Sequence, residues 1–220
     1  MLNDVLRRPS FAGRIGGIES GEMQIVQFHV PPGEGQMTTA ATETADPRYP
    51  VGRYRPEREI DADQRAEWIQ QIADTPARFR QAVEGLSDDQ LDTPYRDGGW
   101  TVRNLVHHLP DSHMNAYVRV KLGLTEESPS IKTYDEAAWA ALPEPGITPP
   151  EVSLALLDAV HVRWVNTLRT MGEGDWARTI QHPEWGAMRL DQLLGLYAWH
   201  GRHHVAHVTR LRERNGWQAR

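Results

Sequence analysis

Residues 194–208, LGLYAWHGRHHVAHV, put four of the chain's ten histidines within eight positions of an apolar run that reads as helix. Side chains four residues apart share a helical face, so His200/His204 and His203/His207 are both spaced as a metal-ligand pair would be. At roughly 100° per residue, Leu193, Tyr197, Val208 and Leu211 define the apolar face, and His200 and His204 lie within it. His207 falls near the edge of that face, His203 further round, and Arg202 opposite. The inward pair is therefore His200 and His204. Imidazoles buried without partners are costly. The pair implies either two hydrogen-bonded core histidines or two ligands of a metal held inside a helical bundle.

Length and charge bound the rest. At 220 residues the chain suits one domain with a full core and an appendage, and eight tryptophans compensate for a hydrophobic content of 39%. A net charge of −6 with no long basic run argues against sequence-independent nucleic-acid binding. The absence of cysteine removes disulfides, thiolate ligands and a cysteine nucleophile together, and fits a reducing cytoplasm. No apolar segment approaches the ~20 residues of a membrane span. Arg7 and Arg8 are followed by no apolar core, so a secretory signal is not expected.

Residues 1–45 form an N-terminal extension unlike the rest, glycine-rich with one short strand-like run, QIVQFHV, and linker-like VPPGEGQ and TTAATETA. We read it as disordered or loosely docked, or as a mis-assigned start with translation beginning at Met37. Residues 46–220 carry the domain. A proline-punctuated lead-in, PRYPVGRYRP, precedes a first helix over Ala62–Val83, capped by Asp61 with Gln64 and striped by Trp68, Ile69, Ile72, Phe79 and Val83. Pro76 predicts a kink or local break there.

Thr101 caps a second helix running to about Leu122, with Val102, Leu105, Leu109, Ala116 and Val120 on its apolar face and Pro110 as a second expected kink. Beside that face runs a polar line, His108, Ser112, Asn115 and Arg119. His107 points away from the core and is expected at the surface. His113 falls on the apolar side, so periodicity does not choose between His108 and His113 as an inward histidine. The connection over residues 125–149 is too long for a tight turn and of a length often functional. Within it residues 134–142 are a candidate helix, with Trp139 against the bundle. Thr148 and Glu151 form a capping-box pattern, with proline at the first position of a third helix carrying Leu154, Leu157, Val160, Trp164 and Leu168 and ended by Gly172 and Gly174. Residues 178–188 suggest a small hairpin before a fourth helix over about 190–214, closed by Asn215-Gly216. Four amphipathic helices with almost no strand signal predict an all-α four-helix bundle. The long connection between the second and third helices implies that it is not simply up-down-up-down.

YPVGRY, LDTPYRDGGWTVRNLVHHLPDSHMNAYVR, KTYDEAAW and YAWHGRHHVAHV together resemble the YfiT-like branch of the DinB superfamily, over about residue 47 to Trp217. The resemblance implies a DinB-type four-helix bundle, usually a homodimer, holding one divalent metal by three histidines. Matched residue by residue, these are His108 from the second helix and His200 and His204 from the fourth. Pro110 departs from the family pattern, which commonly has alanine there. Members of this branch carry the name metal-dependent hydrolase, and related members are S-transferases joining a low-molecular-weight thiol, such as bacillithiol, to an electrophile.

Three neutral imidazoles leave a coordination position open, as in catalytic zinc sites. Zinc can lower the pKa of bound water to about 7, and the same position accepts a thiolate. Zinc is the expected metal and nickel the alternative. The other residues carry weaker expectations: Asp111 as a ligand-orienting carboxylate, Asn115 and Arg119 as binders of an anionic part of a small-molecule substrate. His161, His203 and His207 read as surface or packing residues, and His182 as a loop residue within reach of the metal mouth. The competing reading is a non-enzymatic stress-response or binding bundle whose structural metal takes a fourth ligand from His113, His182 or a partner chain.

Overall fold

A computed structural model describes residues 46–218. The expectations for residues 1–45 lie outside them. The elements in chain order are α1 Ala62–Val83, α2 Asp88–Leu91, α3 Val102–Thr125, α4 Glu136–Ala140, α5 Glu144–Ile147, α6 Pro150–Arg169, α7 Glu173–Trp176, β1 Thr179–His182, β2 Gly186–Arg189 and α8 Leu190–Asn215. The four long helices, α1, α3, α6 and α8, make the expected bundle. Asp61 caps α1 by accepting the Gln64 N–H, and Thr101 and Asn104 close a reciprocal capping box on α3. Each such cap is worth about 1 kcal/mol. Gly216, at φ 63°, ends α8 in the left-handed region that glycine tolerates.

Side-chain contacts set the directions. Gly195 lies against Trp68 and Gly201 against Thr75, so α1 and α8 run parallel. His107 meets Ser153 and His113 meets His161, so α3 and α6 also run parallel. Helix α3 runs antiparallel to α8, Arg119 meeting Tyr197 and Gly123 facing Leu190. Taken in chain order the long helices go up, down, down and up. The second connection must therefore travel the length of the bundle, which explains residues 126–149. It is pinned to the hairpin: Ile131 N–H donates to Gln181 O at 3.0 Å and Gln181 N–H to Pro129 O at 2.8 Å.

Two apolar clusters fill the bundle. One holds Trp68, Ile72, Tyr117, Trp164, Leu193 and Tyr197; the other holds Phe79, Leu105, Leu109, Leu157, Val208 and Leu211. On α1, α3 and α8 the two sets are separated by stretches that include Thr75 and Pro76, Pro110 to His113, and His200 to His207; on α6 Asp158 stands at the boundary and His161 follows one turn on. A polar waist thus crosses the middle of the core, where unpaired groups are most expensive.

Several sequence expectations need correction. Thr148 does not cap α6: Pro149 is at the cap position without a side-chain bond, and the Thr148 hydroxyl donates instead to Glu144 Oε1 at 2.7 Å, because α5 ends immediately before it. Gly172 opens α7 rather than ending α6, which stops at Arg169. Trp139 is 39% exposed and rests on Tyr134, ring centres 4.3 Å apart, instead of entering the bundle. His107 is buried, because the parallel α6 covers the side of α3 that faces outward on an isolated helix. Pro76 and Pro110 both lie inside continuous helices.

Candidate metal centre

The waist brings His108 of α3 to His200 and His204 of α8. Their ligand nitrogens lie within 4.8 Å of one another. His200 Nε2 is 3.4 Å from His108 Nε2 and 3.1 Å from His204 Nε2. Metal–imidazole bonds of about 2.0–2.1 Å in a tetrahedron separate their nitrogens by roughly 3.3–3.4 Å. The residues therefore fit a divalent metal before any ion is considered. Burial drives the His108 ring down to about 3 and pushes His200 and His204 well below the usual histidine range, the adjacent imidazoles adding to the last two. All three rings are neutral at pH 7 and carry a lone pair. His108 and His204 are buried, and His200 is partly buried.

Local sequence explains the placement. The DGGW loop turns through Gly98 at φ 63° and lays Trp100 on His108, ring centres 4.8 Å apart. A Cβ at Gly201 would lie 2.6 Å from Thr75 Oγ1, so glycine allows α8 to approach α1 between His200 and His204. His108 also lines a cleft with Asp111, Tyr134, Glu136 and Trp139, where the long connection covers α3.

The remaining candidates separate clearly. Asp111 lines the cleft and is raised to about 6 by burial and then by Glu144; among the described residues it makes no bond to His108. Asn115 turns back on its own helix, donating to Asp111 O at 2.9 Å. Arg119 is buried and occupied, donating to Tyr197 Oη at 2.9 Å and Lys132 O at 3.1 Å. His182 rests near Trp185 and accepts the Glu184 N–H at 3.2 Å, outside both ligand-spaced groups found among the described residues. His113 is not free to be a fourth ligand: Nδ1 lies 2.7 Å from His161 Nε2 and Nε2 lies 3.0 Å from His200 Nδ1.

Sequence reasoning missed Glu136. Burial raises its carboxyl to about 7, with Arg119 opposing, and it faces the same cleft as His108. No spacing signal connects the two, since they meet only when the connection folds over α3.

A second ligand-spaced group is His203, His204 and His207, all buried. Trp199 stacks on His203 at 4.4 Å and Tyr95 on His207 at 4.0 Å. His203 Nδ1, His204 Nδ1 and both His207 nitrogens make no hydrogen bond. His203 and His207 are thus buried against aromatic rings rather than at the surface.

Comparison with known proteins agrees with this architecture. The profile of the DinB superfamily matches residues 71–208. YfiT of Bacillus subtilis is 51% identical over 170 residues, 77% of this chain and 96% of its own length, and its name assigns it provisionally to the metal-dependent hydrolases. A similarly named protein of Bacillus cereus strain B4264 is 51% identical over 172 residues, 78% of this chain and 99% of its own. The solved structure of Bacillus subtilis YfiT, described as a four-helix bundle of unusual topology, superposes with a TM-score of 0.76 at 50% identity, covering 78% of this chain and 99% of that one. No helix among the described residues is long and apolar enough to cross a membrane. With the four-helix bundle and half the aligned residues held in common, the chain belongs to the DinB superfamily, in the branch of YfiT.

Proposed function

We propose that the protein is a metal-dependent hydrolase that holds one divalent ion, zinc in preference to nickel, through His108, His200 and His204, leaving a coordination position for a small-molecule substrate. The observation that carries this reading is the convergence of three neutral imidazole nitrogens from two helices at tetrahedral spacing. The fourth ligand that a structural site needs has no donor in His113 or His182, whose positions are described above.

A bound ion supplies Lewis acidity that activates a water or a thiol at neutral pH. The chain's own groups do the rest. Glu136, with a carboxyl at about 7, is matched to accept a proton from the attacking group and return it to the leaving group. Asp111, at about 6, is the second carboxyl in the cleft. Burial pushes Tyr134 upward, so its hydroxyl stays protonated and offers a donor to a polar substrate atom. Arg119 stiffens the wall through Tyr197 and the Lys132 carbonyl instead of seizing an anion.

The same open position suits a thiolate, so transfer of a low-molecular-weight thiol of the bacillithiol type to an electrophile is the second reading. The homodimer is supported by exposed apolar side chains on α3 and α6, Met114, Val118, Leu156 and Val162, and sedimentation measures it. The cysteine-free composition supports a cytoplasmic setting.

The deciding experiment incubates zinc-loaded protein with ester and amide panels, and separately with an electrophile plus bacillithiol, mycothiol, glutathione or cysteine. Cleavage without thiol supports hydrolysis, and conjugation without cleavage supports transfer. Neither activity, together with a closed four-nitrogen spectrum in the cobalt-substituted protein, overturns the enzymatic reading.

A further inference from the structure

Two side chains, His161 on α6 and His113 on α3, form an unbroken file behind the proposed ligand His200. His161 Nδ1 lies 2.7 Å from the Ile72 carbonyl oxygen, His161 Nε2 lies 2.7 Å from His113 Nδ1, and His113 Nε2 lies 3.0 Å from His200 Nδ1. The file begins at a backbone carbonyl, which only accepts. That carbonyl is available because its ordinary helical partner would be the N–H of residue 76, and residue 76 is proline. The mid-helix proline therefore frees an acceptor at the waist of the bundle.

We propose that His161 and His113 are positioning residues that fix the tautomer and ring orientation of His200, so that its bare Nε2 faces His108 and His204. The direction follows step by step. The Ile72 oxygen requires a proton on His161 Nδ1. A neutral imidazole carries only one N–H, so His161 Nε2 is bare and must accept from His113 Nδ1. His113 Nε2 is then bare and must accept from His200 Nδ1. That leaves the proton of His200 on Nδ1 and its lone pair on Nε2, the nitrogen nearest the other two ligands. Metal-binding histidines generally donate their second N–H to a carboxylate, carbonyl or water; here the acceptor is another histidine, and the carbonyl stands two rings away.

The inference rests on the proposed metal centre, and its test separates the two. Long-range proton–nitrogen correlation spectra of the metal-free, nitrogen-15-labelled protein should show His161, His113 and His200 all protonated at Nδ1. Chelator competition should show zinc binding 10- to 100-fold weaker in His161→Phe, the range expected for loss of an outer-shell partner. His161→Gln keeps one donor for Ile72 O and one acceptor for His113, and should restore most of that affinity. A general packing defect would not distinguish the two variants in this way. Protonation of His200 at Nε2 in the unaltered protein, or unchanged zinc affinity in His161→Phe, overturns the proposal. If the unaltered protein shows the stated tautomers yet binds no zinc, the ordering of the file stands and the metal centre falls.

Discussion

The two histidine triads share His204 and differ in nearly everything else. The inner triad, His108, His200 and His204, joins two helices, and its facing nitrogens stand 3.1 and 3.4 Å apart. A fourth histidine, His113, engages His200 from behind. The outer triad, His203, His204 and His207, lies along one helix. Its outer members are held by aromatic faces, Trp199 on His203 and Tyr95 on His207, and His203 Nδ1 and both His207 nitrogens are left without hydrogen bonds. Four-residue spacing is common to both. What distinguishes the inner set is partner geometry across helices and, at His200, the hydrogen bonding of the opposite nitrogen.

The largest expected effect breaks that comparison outright if it fails. His200→Ala or His204→Ala should lose stoichiometric zinc and all measurable turnover while keeping the helical circular-dichroism spectrum, whereas His203→Ala should retain about one zinc per chain by elemental analysis. Equal loss in His203→Ala and His200→Ala would erase the distinction between the triads.

Next in size is Glu136→Gln, which touches only the inner side. Turnover should fall about 10²- to 10⁴-fold, the usual contribution of a positioned general base, with zinc content unchanged. The acid limb of the pH–rate profile, set by a carboxyl at about 7, should disappear; a bound cation moves that limb lower in the unaltered protein. An unaltered profile in the variant would remove Glu136 from the chemistry.

Acid sensitivity sharpens the contrast from the outer side. In the unfolded chain histidine takes up a proton near 6.5, but burial holds His203 down to about 3 and His207 down to about 4 in the folded protein. As pH falls below about 6.5 the unfolded state binds protons that the folded state refuses. Their contribution is therefore full above about 6.5 and lost progressively toward about 3 to 4. At roughly 1.4 kcal/mol per pKa unit, the loss amounts to several kcal/mol. His207→Phe should reduce the acid slope of denaturant stability and leave zinc binding intact. A slope identical to that of the unaltered protein would show that His207 is not buried as a neutral ring.

The smallest effect concerns the scaffold shared by both triads. Gly201→Ala places a methyl 2.6 Å from Thr75 Oγ1 and should cost about 1–3 kcal/mol by thermal melting, weakening both triads together. An unchanged melting temperature would mean that α1 and α8 separate without strain.

How far the sequence foretold this depends on where the signal was local. Asp61, Thr101 and Gly216 act through neighbours in sequence, so the ends of α1, α3 and α8 were legible. Face periodicity alone separated His200 and His204 from His203, and the family resemblance supplied His108. His107 was misjudged because its cover comes from α6, some fifty residues later. Thr148 was misjudged because α5, which periodicity is too short to reveal, takes its hydroxyl. Glu136 and the file of His161 and His113 depend on how the connection and α6 lie on α3, and no residue pattern encodes that. Pro76 was visible only as a helix breaker; its freed carbonyl gains meaning once His161 is seen to use it.

The most direct test of the account is anomalous scattering at the zinc edge from zinc-loaded crystals. A single strong peak about 2.0–2.1 Å from Nε2 of His108, His200 and His204 is the predicted result. A peak among His203, His204 and His207, or no peak in fully loaded protein, would contradict it.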